Sequence, residues 1–245
     1  MFEMKSEKEN MGVLKVACIG KTANYWKNNL PDDVQKFFLE GDLTDETTWD
    51  TAVDVGFIIA DSREDGALEA FKAAIDTMGK RDAVLFPMLI SDGSITLDVP
   101  FMNLDINKFS CEPEAYDYIY MAVKATYEIV DSFGIIELDF DDLRAVFADK
   151  KELIFEMGEA TGGNAAQVAC EDALRKISAL WGDVSSVKGV LLNVIGREEN
   201  MSMFEVHEAS VALTDWLDEN ANIIWGASVD DTLGDKIRVC LWMAR

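Results

Sequence analysis

The densest run of reactive side chains is GIIELDFDDL, Gly134 to Leu143, with carboxylates at Glu137, Asp139, Asp141 and Asp142. Carboxylates can bind a divalent ion, but no EF-hand spacing supports that here. Acidic residues also commonly stabilise a helix N-terminus, by a few tenths to about 1 kcal/mol. A second candidate is Gly20-Lys21-Thr22, which matches the end of a P-loop. The full pattern needs a glycine five residues earlier, and that position is Lys15, so the match is by chance. His207 is the only histidine and reads as a packing or surface residue. No G-x-S-x-G elbow, HExxH or histidine cluster exists, and no metal site is expected. Cys18, Cys111, Cys170 and Cys240 stand far apart without a CxxC pair, which suits buried free thiols in a reducing compartment.

These residues need elements to position them. The acidic run follows EPEAYDYIYMAVKATYEIVDSF, which reads as one long helix from Pro113 to Phe133. Proline suits a first helical turn, and Gly134 suits the left-handed position after a helix end. Its apolar residues, among them Ile119, Val123, Ile129 and Phe133, cover more than one face, so the helix is expected between two layers. Before it, GVLKVACIG, DVQKFFLEGD, VGFIIAD, DAVLFPMLIS and DVPFMNLDI read as strands, with helices at KTANYWKNNL, Asp45–Val53 and EDGALEAFKAAIDTMG. Apolar strands alternating with helices indicate a parallel sheet covered on both faces. After it, ELIFEMGEA, KGVLLNVIG, NIIWGASVD and KIRVCLWMA read as a four-stranded sheet. Its helices are a short DFDDLRAVFADK, one capped by Asn164 and one opened by a Ser202/Glu205 capping box. The fold class is α/β: a shortened Rossmann-like domain over 1–112, a central helix over 113–133, and an α+β domain over 134–245.

Of the 245 residues, 49% are apolar, enough for a full core. No apolar run reaches membrane-spanning length, and MFEMKSEKEN lacks an apolar signal core, so a cytoplasmic protein without membrane insertion is expected. The net charge of −24 disfavours nucleic acid and anionic lipid as partners.

The second half resembles the tubulin-like cell-division GTPase family FtsZ. IIELDFDDL is similar to that family's LMNVDFADV, and VKGVLLNVIG and ASVDDTLGDKIRV to ARGVLVNITA and TSLDPDMNDELRV. The likeness is strong over Asp139–Ala244 and weaker over Gly12–Val130, where part of the family's nucleotide domain is missing. It implies a tubulin/FtsZ-like fold, with GTP or GDP as ligand if the pocket still functions. It also implies that Gly20, Lys21, Thr22, Asn24, Gly66 and Asp117 mark the former nucleotide site, Asp117 matching a guanine contact. In the family's filaments the loop after the central helix enters the next subunit's pocket, where its acidic residues help activate water. The resemblance gives Asp139 and Asp142 that role, in trans.

Departures from the family pattern concentrate in the pocket. Its GGGGGN loop is GKTAN here, and its GGGTGTG signature is SREDGALEA, keeping only Gly66. Phosphate needs close backbone approach and free N–H groups, which bulky side chains block. Asp61, Glu64 and Asp65 add negative charge, Glu112 replaces a stacking Phe, and the loop after strand two shrinks to LTDE. Tight GTP binding is therefore not expected. The leading expectation is an FtsZ-like protein that assembles, or modulates assembly, without hydrolysing GTP and without a cofactor. A remodelled GTPase using Lys21 and Thr22, and a self-associating structural module, are the alternatives. The expected partner is the protein itself or an FtsZ-type protein.

Overall fold

The computed structural model describes residues 14–29, 43, 45–49, 53–81, 83–130, 138, 140–147 and 150–245. Four strands build the first sheet: β1 (Leu14–Cys18), β2 (Val55–Asp61), β3 (Val84–Ser91) and β4 (Met102–Asp105), parallel and in that order. Every residue of β2 is buried, as expected of a strand covered on both faces. Alternate side chains serve the two faces. Phe86, Met88 and Ile90 join one core, while Leu89 joins the other with Ile58, Ala60, Phe71 and Met78. Helix α1 (Lys21–Asn29) follows β1, and α2 (Ala67–Gly79) covers one face through Phe71, Ala74, Ile75 and Met78.

The long helix is α3, Glu112–Val130. Ala115, Ile119, Ala122, Val123 and Ile129 share one core with Phe57 and Phe86 of the first sheet and with Phe155, Leu191 and Trp242 of the second. A helix apolar on several sides is thus buried on several sides. Polar contacts fix its rotation. Trp242 Nε1 donates to Thr126 Oγ1 at 3.0 Å, Asn193 Nδ2 donates to the Ala125 carbonyl at 2.9 Å, and the Tyr118 hydroxyl donates to the Phe155 carbonyl.

After the short helix α4 (Phe140–Phe147) comes the second sheet, of β5 (Leu153–Thr161), β6 (Gly189–Gly196), β7 (Asn222–Val229) and β8 (Lys236–Ala244). Its order is β5-β8-β6-β7, with β8 antiparallel to both neighbours and β6 parallel to β7. Helices α5 (Ala165–Trp181) and α6 (Met203–Thr214) cover its outer face. A Cβ at Gly158 would collide with the Ala169 carbonyl, so glycine permits the close approach of α5 to β5.

Several local expectations change. DVPFMNLDI joins the first sheet only over Met102–Asp105, with an isolated bridge from Phe101 to Glu152, and Ile106–Lys108 forms a 3₁₀ turn opened by Asp105, whose side chain accepts from Asn107 N. Asp45 does cap, but only a 3₁₀ turn, Glu46–Trp49, is formed among the described residues there. Asn164 occupies the position before α5 at φ 62° and makes no side-chain cap; Glu205 instead accepts from Ala166 N at 3.2 Å. Ser202 accepts from Glu205 N at 3.3 Å, so one half of the capping box forms and Glu205 is diverted to the neighbouring helix. Cys18, Cys170 and Cys240 are buried, whereas Cys111 is exposed in the turn before α3. The DVQKFFLEGD strand, Gly134 and Glu137 lie outside the described residues. No described helix is long and apolar enough to cross a membrane.

Candidate functional site

Three chain segments meet at the carboxyl ends of the first sheet, where open α/β sheets leave a crevice. β1 ends at Cys18 and turns through Gly20 (φ +74°) into α1. β2 ends at Asp61 and turns through Gly66 (φ +76°) into α2. Both turns need left-handed backbone, which explains why these two glycines persist. The start of α3 supplies the third wall, with Glu112 and Tyr116.

The crevice is small, about 220 Å³, and lined by Lys21, Asp61, Arg63, Glu64, Glu112 and Tyr116. Both Glu64 carboxylate oxygens accept from Lys21 N at 2.9 Å. The first amide of α1, an orphan donor that a bound anion could take, is therefore held by the protein's own carboxylate. A Cβ at Gly20 would strike that carboxylate. Asp61 is buried and takes a two-pronged grip from Arg63, Nε to Oδ1 at 2.9 Å and Nη2 to Oδ2 at 2.5 Å. Arg63 Nη2 also reaches Glu112 Oε1 at 2.7 Å, bridging the β2 loop to α3. These hydrogen bonds, led by the one to Asp61, hold the guanidinium charged well above its ordinary range despite partial burial. Beside them Tyr25 and Tyr116 stack with ring centroids 4.3 Å apart. Burial, then Asp61 and Glu112, push the Tyr116 phenol up to about 12. Burial, then the charge of Asp117, also raises Tyr25.

Of the residues expected at a nucleotide site, Lys21 lines this crevice; Gly20 lies against the Glu64 carboxylate, Gly66 forms the turn before α2, and Asp117 lies on α3. Thr22 does not face it: it is buried, and its hydroxyl donates to the Ile19 carbonyl at 2.5 Å. Asn24 lies on α1, its side chain outside the described set. Sequence reasoning saw the acidic residues but missed Arg63, which offsets Asp61 and Glu112. The crevice is crowded more by an ion-pair network than by bare negative charge. The signal was the alternation Asp61-Ser62-Arg63-Glu64-Asp65, where opposite charges two apart can fold back on one another. Tyr25 was also missed, since nothing in its spacing sets it apart from a core aromatic.

Asp142 stands exposed in the first turn of α4, and Asp139 lies outside the described residues. Arg144 on α4 pairs with Asp141 at 2.8 Å and approaches Asp54, just before β2, at 3.9 Å. Helix α4 therefore lies at the amino ends of the first-sheet strands, opposite the crevice. A second cavity of about 480 Å³ lies at that pole, lined by apolar residues such as Ile75, Pro87, Phe147 and Leu153 together with Arg144. Among the described residues no three His, Cys, Asp or Glu side chains converge as a metal site.

Comparison with known proteins agrees with this architecture. Residues 153–244 match the C-terminal domain of the FtsZ family. The cell division protein FtsZ of Magnetospirillum gryphiswaldense is 37% identical over 127 residues, 51% of this chain and 22% of that protein. FtsZ of Methanothermobacter thermautotrophicus is 31% identical over 142 residues, 58% of this chain and 36% of that protein. The match thus spans well under half of either relative. The solved empty FtsZ dimer of Methanocaldococcus jannaschii superposes with a TM-score of 0.75 at 16% identity, covering 97% of this chain and 89% of that one. CetZ of Methanosaeta thermophila gives 0.54 at 16% identity, covering 78% and 61%. Residues 153–244 therefore match the FtsZ C-terminal domain at the level of sequence, and the chain as a whole shares the fold of solved FtsZ, with a parallel sheet, a buried central helix and a second mixed sheet.

Proposed function

We propose that this protein joins or modulates FtsZ-type filament assembly without hydrolysing GTP itself. The observation that carries the reading is the Glu64 carboxylate seated on the first amide of α1, both oxygens 2.9 Å from Lys21 N. A triphosphate would have to displace that carboxylate and break the Arg63 bridge between Asp61 and Glu112. Each charge-assisted hydrogen bond is worth about 1.5–3 kcal/mol, and the liberated carboxylates would then oppose the phosphates. Thr22 is already engaged by the Ile19 carbonyl. The opposite pole keeps Asp142 exposed at the start of α4, near Asp139 in the chain. In this reading Asp139 and Asp142 face the pocket of an FtsZ-type neighbour, while the blocked crevice accepts no further subunit by way of nucleotide.

The test is to mix the protein with an FtsZ that polymerises and follow GTP turnover and filament length together. The expected result is a change in both, with no turnover by this protein alone. Unchanged turnover and unchanged length would overturn the reading. Calorimetry with GTP and GDP, with and without magnesium, checks the blocked crevice directly, and micromolar binding would favour a remodelled GTPase instead.

A further inference from the structure

Six large apolar side chains stand exposed among the described residues, and five of them lie on α5 and α6: Val168, Leu180, Met203, Phe204 and Val211. Scattered exposed apolar residues are ordinary, but this concentration on two adjacent helices is not. Helix α6 is apolar on both sides. It buries Val206, Ala209, Ala212 and Leu213 beneath it, yet presents Met203 at 54% and Phe204 at 59% exposure above. A helix apolar all round is normally covered all round. Phe204, His207 and Val211 follow at i, i+3 and i+7, so they form one stripe, with the chain's only histidine in its middle. Glu208, four residues after Phe204, and Asp215, four after Val211, edge the same side.

Charge decides what can cover this stripe. The chain carries a net charge of −24, so a second copy would bring like charge to an acidic border. An anionic membrane surface is disfavoured for the same reason. We propose that the outer face of α6 docks a cationic amphipathic helix of another protein. Its apolar ridge packs on Met203, Phe204 and Val211, and its Lys or Arg residues meet Glu208 and Asp215. Phe204 supplies a rigid anchor and Met203 an adaptable one, the pairing found in grooves that take amphipathic helices. This surface lies on the second sheet's helices, so it stands or falls independently of the crevice.

The experiment uses labelled peptides of about five helical turns, one built from Leu and Lys and a control from Leu and Glu. Fluorescence anisotropy is read against the whole protein and two variants. The Leu/Lys peptide is expected to bind the wild type and the Leu/Glu peptide not to bind. The double variant Met203→Ser/Phe204→Ser leaves net charge unchanged and should weaken binding about tenfold or more. Glu208→Gln/Asp215→Asn should weaken it too and flatten its dependence on salt. Both variants alter side chains outside the core, so thermal unfolding should be unchanged. Full affinity in Met203→Ser/Phe204→Ser would overturn the proposal, because bulk charge alone would then explain binding. Absence of binding to the wild type would overturn it as well. Sedimentation showing wild-type self-association that this double variant abolishes would assign the face to a second copy instead.

Discussion

At the residue scale the crevice is decided by Arg63, which ties a buried carboxylate on one segment to an exposed one on another. Asp61 has a side chain only 4% exposed, and its charge is tolerable because Arg63 grips it. Arg63→Ala would leave that carboxylate buried without a cation. The expected loss in urea unfolding is about 2–4 kcal/mol, since removing one partner of a buried pair costs more than the pair itself contributes. The double variant Arg63→Ala/Asp61→Asn removes the stranded charge and should recover at least half of that loss. Equal losses in the single and double variants would mean that Asp61 was never held by Arg63. The same logic explains why acidic residues counted from sequence overstated the negative charge here. A count sees Asp61, Glu64 and Asp65, but not that Arg63 turns back onto Asp61 and across to Glu112.

At the element scale α5 shows how a helix start can be fixed by another helix. Asn164 precedes α5 with φ 62° and its side chain makes no cap. Glu205, at the start of α6, accepts from Ala166 N instead. Glu205→Ala should therefore cost about 1 kcal/mol, the ordinary value of a lost N-cap. Asn164→Gly should be neutral or stabilising by up to about 1 kcal/mol, because left-handed backbone is free for glycine and strained for other residues. Thermal unfolding of both variants checks the pair; the reverse order of effects would restore Asn164 as the cap. Sequence spacing indicated a capping box within α6, and half of it forms. The other half could not be read, because Glu205 finds its donor 39 residues away.

At the scale of the molecule α3 holds the two sheets together, and Lys124 is the ionic part of that junction. Lys124 Nζ lies 2.8 Å from Asp230 Oδ2 and 3.3 Å from Glu128 Oε1. Burial tends to raise the Asp230 carboxyl, but hydrogen bonds from Lys124 and Thr232 outweigh it and hold the group down at about 2. Glu128 moves the other way, its burial prevailing over Lys124. A carboxyl lowered in the folded state contributes stability that is fully present above its unfolded value and lost as pH falls toward about 2. Asp230→Asn should thus destabilise the protein by about 2 kcal/mol at neutral pH, and the difference from wild type should shrink between about pH 4 and pH 2. Glu128→Gln should show the opposite slope. A difference between Asp230→Asn and wild type that stays constant over that range would detach Asp230 from the junction.

The sequence by itself determined the architecture. Strand-length apolar runs, one long helix apolar on several sides and a few turn glycines leave little freedom, because burial and backbone geometry act through local pattern. The likeness of residues 153–244 to the FtsZ family lay in the same linear record. The tertiary structure alone decided what the crevice contains. Glu64 reaches the amide of Lys21 across 43 positions, and Arg63 reaches Glu112 across 49. No spacing rule covers such distances. An ion pair depends on where two side chains end in space, and only the completed packing of β1, β2 and α3 sets that.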